Sequence, residues 1–256
     1  MQNPFTTDYR DEVRSRLVDM ARSDERVVAC AVVGSGAGGG LDRWSDIDLT
    51  FGVAETASVS EVLDSWTRTV TEDFCGVRLF DVRVGSTVYR VFMLPGTLQV
   101  DLSFGPASQF GALGPRFSLV FGEGVEKPHF GAPDPAELMG MGVHHAVRAR
   151  ICIEREKTWQ AEHWISHMRD IAMQLACVKS GLDPAHAREY DRLPSEVLDR
   201  AAACLVTSVE RTSLMEFLGC SVSFLLEEGQ EFLREADGDS SRRLTEELRG
   251  LSGWET

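Results

Sequence analysis

The sequence predicts an α+β half followed by an all-α half. Three observations carry that reading. Apolar, β-branched runs with strand character recur up to residue 104. Long 3.6-periodic patterns take over after about residue 130. Between them lies "FGEGVEKPHFGAPDP" (121–135), rich in Gly and Pro, which reads as the joint. The expected domains are therefore 1–130 and 131–256.

The elements follow in order. Residues 6–23 read as a helix with Val13, Leu17 and Met20 at helical spacing, capped by Thr7 or Asp8. "RVVACAVVG" (26–34) is a continuous apolar, β-branched run, as expected for a central strand. A Gly-rich turn separates it from a second strand, "SDIDLTFGV" (45–53). Residues 58–74 read as a helix with Val59, Val62, Leu63, Trp66 and Val70 on one side. Three strands are expected at 77–84, 87–94 and 97–104, and the turn signals Gly85-Ser86 and Pro95-Gly96 make them an antiparallel meander. In the second half, Asp134, Pro135 and Glu137 form a helix start. Helical patterns then run to about 180, and over 194–206, 210–228 and 239–251.

Composition narrows the function. The chain has 26 Lys plus Arg against 40 Asp plus Glu, a net charge of −14, and such a surface repels phosphate backbones. Nucleic acid is therefore not an expected partner. No apolar run approaches membrane-spanning length and no apolar leader opens the chain, so a cytoplasmic protein with no membrane partner is expected. The six cysteines (30, 75, 152, 177, 204 and 220) show no CxxC pairing and read as buried, reduced thiols. Oligomeric state has no sequence signal.

The chemistry concentrates in residues 32–53. Asp46 and Asp48 are spaced i, i+2 in a strand, so both side chains share one face. Two adjacent carboxylates repel and call for a compensating cation, and Mg²⁺ takes such oxygen ligands together with substrate phosphates. Asp101 sits alone in the apolar strand "LQVDLSF", where a charge is costly unless paired or metal-bound. If that strand lies beside "SDIDL", three carboxylates converge. The preceding loop, "GSGAGGG" (34–40), lets backbone N–H groups approach a phosphate, with Ser35 adding a hydroxyl donor. No Gly-Lys-Ser/Thr closes it and no helix follows, so it is neither a P-loop nor a dinucleotide fingerprint.

Gly34-Ser35, nine residues, Ser45-Asp46-Ile47-Asp48 and a later strand Asp together resemble the DNA polymerase β-like nucleotidyltransferase superfamily. Its antibiotic (aminoglycoside and lincosamide) nucleotidyltransferases are the most similar branch, and the resemblance covers roughly residues 25–105. It implies a mixed, twisted sheet with flanking helices, then a helical bundle covering the acceptor cleft. It implies that Gly34, Ser35 and Ser45 bind ATP or another nucleoside triphosphate. Asp46 and Asp48 would hold two Mg²⁺ ions, with Asp101 completing the second site and helping to activate the acceptor hydroxyl. The implied reaction moves AMP to a hydroxyl of a small molecule, possibly an antibiotic, and releases pyrophosphate. Many members carry an Arg where this chain has Gly38 or Gly39, which leaves that cation to another part of the chain.

The helical half says less. In "EKTWQAEHWISHMRDIAMQLACV" (156–178), Trp164, Met168, Ile171, Leu175 and Val178 form an apolar stripe. Trp159, Glu162, Ser166, Arg169 and Asp170 share the other side and are candidate acceptor contacts, with Glu162 a second candidate base; the plain alternative is a solvated face with internal ion pairs. His163 and His167 are spaced i, i+4, but with no third ligand in reach they read as packing or surface residues, as do His144 and His145. Two rival functions remain open: AMPylation of a protein partner, and a degenerate, non-catalytic nucleotide-binding module.

Overall fold

The computed structural model describes residues 4–39, 41–128, 131–235 and 238–251. Gly40, the last glycine of the loop, and residues 129 and 130 in the joint lie outside them. The chain divides into two compact units, Met1–Phe130 and Gly131–Thr256.

In the first unit, helix α1 (Thr7–Ser23) precedes strand β1 (Val27–Val33), a 3-10 turn (Gly34–Gly38) and β2 (Ile47–Val53). Helix α2 (Val59–Asp73), β3 (Val77–Val84), β4 (Thr87–Leu94), β5 (Leu98–Pro106) and β6 (Phe117–Phe121) complete it. The cap of α1 is Thr6, not Thr7 or Asp8: its hydroxyl accepts from the Tyr9 N–H at 3.1 Å. Only the residue just outside the first helical turn has the extended backbone that aims its side chain back at the free N–H groups.

Among the described residues six strands form one mixed sheet in the order β3-β4-β5-β2-β1-β6. The meander β3-β4-β5 is antiparallel as expected, whereas β2 and β5 run parallel. Strand β6 had no counterpart in the sequence reading; it pairs antiparallel with β1 and covers what would otherwise be an open edge. The opposite edge, β3, stays open and shows Val77, Phe80, Val82 and Val84 to solvent.

One face of the sheet carries the core. Ile47, Leu49 and Phe51 of β2 alternate with polar residues, as do Leu98, Val100 and Leu102 of β5. These apolar side chains pack with Val13, Leu17 and Ala21 of α1 and Val62, Leu63, Trp66 and Val70 of α2. Phe51, Phe104 and Trp66 meet with ring centroids 4.7, 4.7 and 5.2 Å apart. The Trp66 indole N–H donates to Asp24 Oδ2 at 3.0 Å, satisfying a donor that burial would otherwise strand. The buried Arg90 of β4 donates through Nε and Nη2 to the two oxygens of Asp81 on β3 at 2.7 and 2.8 Å, which ties the edge strand to the sheet. By alternation, Asp48, Thr50, Gln99, Asp101 and Ser103 point to the other face.

The second unit is all helical among its described residues: α3 (Pro135–Glu154), α4 (Thr158–Lys179), α5 (Ser195–Ala203), α6 (Arg211–Glu228), α7 (Gln230–Glu235) and α8 (Gly238–Gly250). Asp134 caps α3, accepting from the Ala136 N–H at 2.9 Å, with Pro135 in the first turn. Its core gathers Ala146, Ala149 and Ile153 of α3, Ile165, Met168 and Leu175 of α4, and Leu214, Leu218 and Leu225 of α6. No helix among the described residues is long and apolar enough to cross a membrane.

The cysteines correct one expectation. Cys30, Cys75, Cys152 and Cys177 are free, but Cys204 and Cys220 form a disulfide across a Cα–Cα distance of 5.5 Å. A separation of 16 residues carries no spacing signature, and only the packing of α6 against the end of α5 brings the two together. Closing a loop of that length is worth about 3 kcal/mol in the chain-entropy account. The double variant Cys204→Ser/Cys220→Ser is expected to lose about that much in urea unfolding, and dithiothreitol should lower the wild-type midpoint while leaving the variant's unmoved.

Candidate active site

The site starts at the end of β1. After Val33 the chain turns through Gly34, whose φ of 66° lies in the left-handed region. A Cβ on Gly34 would stand 2.2 Å from Asp48 Oδ2, so the loop backbone lies directly against that carboxylate. The 3-10 turn over Gly34–Gly38 ends at Gly39, again left-handed at 71°.

The segment from Leu41 to Ser45 is held by a small network. Asp42 Oδ1 accepts from the Trp44 N–H at 2.8 Å and from the Ser45 hydroxyl at 2.9 Å. Ser45 Oγ in turn accepts from the Asp42 N–H at 2.9 Å. These bonds hold the Asp42 carboxyl below the usual carboxylate range, the Trp44 N–H contributing most. The buried Arg10 of α1 donates to the Asp42 carbonyl and docks the loop on the first helix. Ser45 is thus engaged within the loop; its hydroxyl faces Asp42.

The carboxylates converge. Asp48 and Asp101 are direct partners in the parallel β2–β5 register. Asp46, one residue before β2, brings its carboxylate to the same place. Each of the three offers an oxygen, and the three oxygens lie within 4.8 Å of one another. Among the described residues no other group of three or more His, Cys, Asp or Glu side chains is so arranged. A set of half-buried carboxylate oxygens without nitrogen or sulfur suits a hard divalent cation such as Mg²⁺.

Asp101 carries the electrostatic signature of the cluster. Burial, and secondarily the charge of Asp46, pushes its pKa up from 3.8, against the opposing hydrogen bond from Gln99. Gln99 Nε2 donates to both Asp101 oxygens, at 3.1 and 3.3 Å. The folded chain therefore holds this proton more tightly than the unfolded chain. Stability falls as pH rises above 3.8, and the full penalty applies above the folded value. With chelator present, Asp101→Asn should raise the melting temperature at neutral pH. The gain should vanish as pH falls below 3.8; a variant less stable than wild type at pH 7 would contradict this assignment.

Sequence reasoning missed four residues here. Gln99 was legible as the i−2 neighbour of Asp101 on the same strand face, and Asp42 as the first member of an Asp-x-x-Ser turn. Trp44 is 68% exposed beside the motif, an unusual cost for an indole. Arg43 lies over the Trp44 and Phe5 rings, at 4.7 and 5.2 Å from their centroids. Its Nη1 is buried with no hydrogen-bond partner among the described residues.

The α4 candidates lie in the helical unit. Trp159 is 74% exposed. Glu162 accepts from the Ser166 hydroxyl at 2.8 Å, and Arg169 pairs with Asp170 at 2.9 Å. Tyr190 donates to the Asp170 carbonyl at 3.2 Å. The first two are internal bonds of a polar helix face, and the third ties α4 to the 3-10 turn at Tyr190–Arg192.

No protein-family model matches the chain, and no curated protein matches it. Among solved structures it is similar to an aminoglycoside 6-adenyltransferase from Bacillus subtilis, at 11% identity and a TM-score of 0.42, covering 92% of this chain and 95% of that one. It is also similar to the CdnE cyclic dinucleotide synthase of Elizabethkingia meningoseptica with GTP and Apcpp, at 9% identity and a TM-score of 0.29, covering 98% and 93%. Likenesses this distant carry no argument about this chain, whose own residues carry the reading that follows.

Proposed function

We propose that the chain is a nucleotidyltransferase that moves a nucleoside monophosphate, AMP from ATP in the first instance, to a hydroxyl of a small molecule. One observation carries the reading: three carboxylates, two on neighbouring strands and one just before β2, meet beside the backbone of a Gly-Ser turn. A cluster of that kind is costly in a folded protein unless it binds cations. The Gly34 backbone, left-handed and lying directly against Asp48, sets the loop N–H groups beside the cluster, where a triphosphate is proposed to bind.

Asp46, Asp48 and Asp101 would hold divalent cation, Mg²⁺ and two ions by the family resemblance. When bound, it supplies charge neutralisation for the reacting phosphates and acidifies the attacking hydroxyl. Gly34 and Ser35 orient the triphosphate through backbone N–H groups and the Ser35 hydroxyl. Ser45 joins them by exchanging its bond to Asp42, and Arg43 offers its unpartnered Nη1 to the phosphates in place of the family's loop Arg. An Asp101 carboxylate oxygen accepts the proton of the acceptor hydroxyl. The new bond joins that hydroxyl oxygen to the α-phosphorus, the α–β anhydride bond breaks, and pyrophosphate leaves. Trp159, Glu162, Arg169 and Asp170 are proposed to bind the acceptor, and a surface of net charge −14 favours a cationic one such as an aminoglycoside. A role in antibiotic resistance belongs to the same proposal.

The test is direct. The full chain is incubated with ATP, Mg²⁺ and a panel of aminoglycosides and lincosamides, and pyrophosphate release and acceptor mass are followed. A gain of one AMP on an antibiotic with one pyrophosphate supports the reading. AMP found on a protein instead moves the acceptor to another class, and no turnover with any nucleoside triphosphate overturns the proposal.

A further inference from the structure

The helical unit brings together four histidines that the nucleotide chemistry does not use. His144 and His145 lie on α3, and His163 and His167 on α4. The rings of His163 and His167 have centroids 4.0 Å apart, and those of His145 and His167 are 6.1 Å apart. Trp164 packs beside them, 4.9 Å from the His145 ring and 5.0 Å from that of His163. The i, i+4 pair on α4 lacked a third ligand in the sequence, and the neighbouring helix supplies one.

We propose that His145, His163 and His167 form a site for a borderline-soft divalent cation, zinc being the reference ion, distinct in place and chemistry from the carboxylate cluster.

Two features support it. Two imidazoles that share a tetrahedral zinc at about 2.0–2.1 Å have ring centroids roughly 5 Å apart. The observed 4.0 and 6.1 Å bracket that separation. Second, the ring nitrogens are arranged as ligands require. His167 Nδ1 lies 2.7 Å from the His163 carbonyl, so a proton on Nδ1 is donated there and Nε2 keeps its lone pair for metal. His145 Nδ1 is buried with no hydrogen-bond partner among the described residues, and an orphaned ring nitrogen calls for a ligand.

The nitrogens do not converge on one point as the carboxylate oxygens do, because among the described residues only the aspartates meet that condition. His163 and His167 are exposed, so a side-chain rotation costs little packing and closes the site. His144 also stands close, its ring 5.8 Å from that of His145 and 5.9 Å from that of Trp164, but the proposed set is limited to the α4 pair and the half-buried His145 with its unpartnered nitrogen. An all-nitrogen set selects zinc, copper or nickel over Mg²⁺.

The test uses the full chain. Zn²⁺ is titrated calorimetrically at neutral pH into wild type, His163→Ala, His167→Ala and His145→Gln. Any zinc taken by the aspartates appears equally in all four. One equivalent in wild type, weakened at least tenfold in each variant, is expected. Zn²⁺ should also raise the melting temperature of wild type more than that of His167→Ala, since it clamps α3 to α4. Nitrogen splitting in the Cu²⁺ spin-resonance spectrum of wild type should weaken in His167→Ala. His163 and His167 are exposed, so their variants keep the test decisive even if His145→Gln folds poorly. Equal zinc binding by wild type and the His163→Ala and His167→Ala variants overturns the site. A folded His145→Gln that binds like wild type overturns the three-histidine set.

Discussion

Asp48→Asn is expected to abolish turnover while leaving the metal-free protein as stable as wild type or more so. The register places Asp48 opposite Asp101, and Asp46 brings a third carboxylate to within 4.8 Å. Removing one negative charge from that group relieves repulsion that the apo fold must otherwise bear. Asparagine keeps the volume, so the backbone of Gly34 still finds a side chain of the same shape beside it. What is lost is an anionic oxygen in the cation site. Metal-derived stabilisation of a transition state is worth several kcal/mol, so the loss should be on the order of a thousandfold or more in rate. Single-turnover pyrophosphate release and a melting curve in chelator read the two effects separately. Turnover like wild type in Asp48→Asn would end the metal assignment, whatever the melting curve shows.

Local features of this arrangement were legible in the sequence, and its long-range features only in part. The i, i+2 spacing of Asp46 and Asp48 puts them on one face by the geometry of any strand, and the lone Asp101 stood out among apolar neighbours. Their meeting depends on β5 lying parallel beside β2, a pairing that skips both β3 and β4. Periodicity says nothing about which strands become neighbours, so convergence could be stated only as a condition. Strand β6 went unread because its five residues follow a Gly-Pro stretch and are too few to display a period. The disulfide and the third histidine were illegible for one shared reason. Each joins two helices through tertiary packing, and neither Cys204 with Cys220 nor His145 with His167 has a spacing that marks it in advance. In the α4 face, sequence supplied both readings, and the Ser166–Glu162 and Arg169–Asp170 bonds show why a solvated, self-paired face stands beside an acceptor site as a physical possibility.

Gly34→Ala should cost activity far more than it costs stability, and a second glycine in the same loop makes the reason testable. Gly34 has a φ of 66°, and Gly39 has a φ of 71°. An alanine at either position pays the same left-handed strain, about 1–2 kcal/mol. Their surroundings differ. A Cβ on Gly39 meets nothing within 4 Å among the described residues, whereas one on Gly34 meets Asp48 Oδ2 at 2.2 Å and Asp48 Cγ at 3.0 Å. The atom in the way is the end of a side chain, so the fold escapes the clash by swinging the Asp48 carboxylate aside. Stability is then spared most of the overlap, and the carboxylate cluster absorbs the displacement instead. A misplacement of about 1 Å at a reacting centre can cost on the order of a hundredfold in rate. Gly34→Ala and Gly39→Ala are therefore expected to lose similar stability in urea unfolding. Only Gly34→Ala should lose about a hundredfold or more in kcat/KM and require higher Mg²⁺ for half-maximal turnover. Should Gly39→Ala prove equally inactive, the loop acts through its flexibility, and the contact between its backbone and Asp48 is not what the chemistry uses.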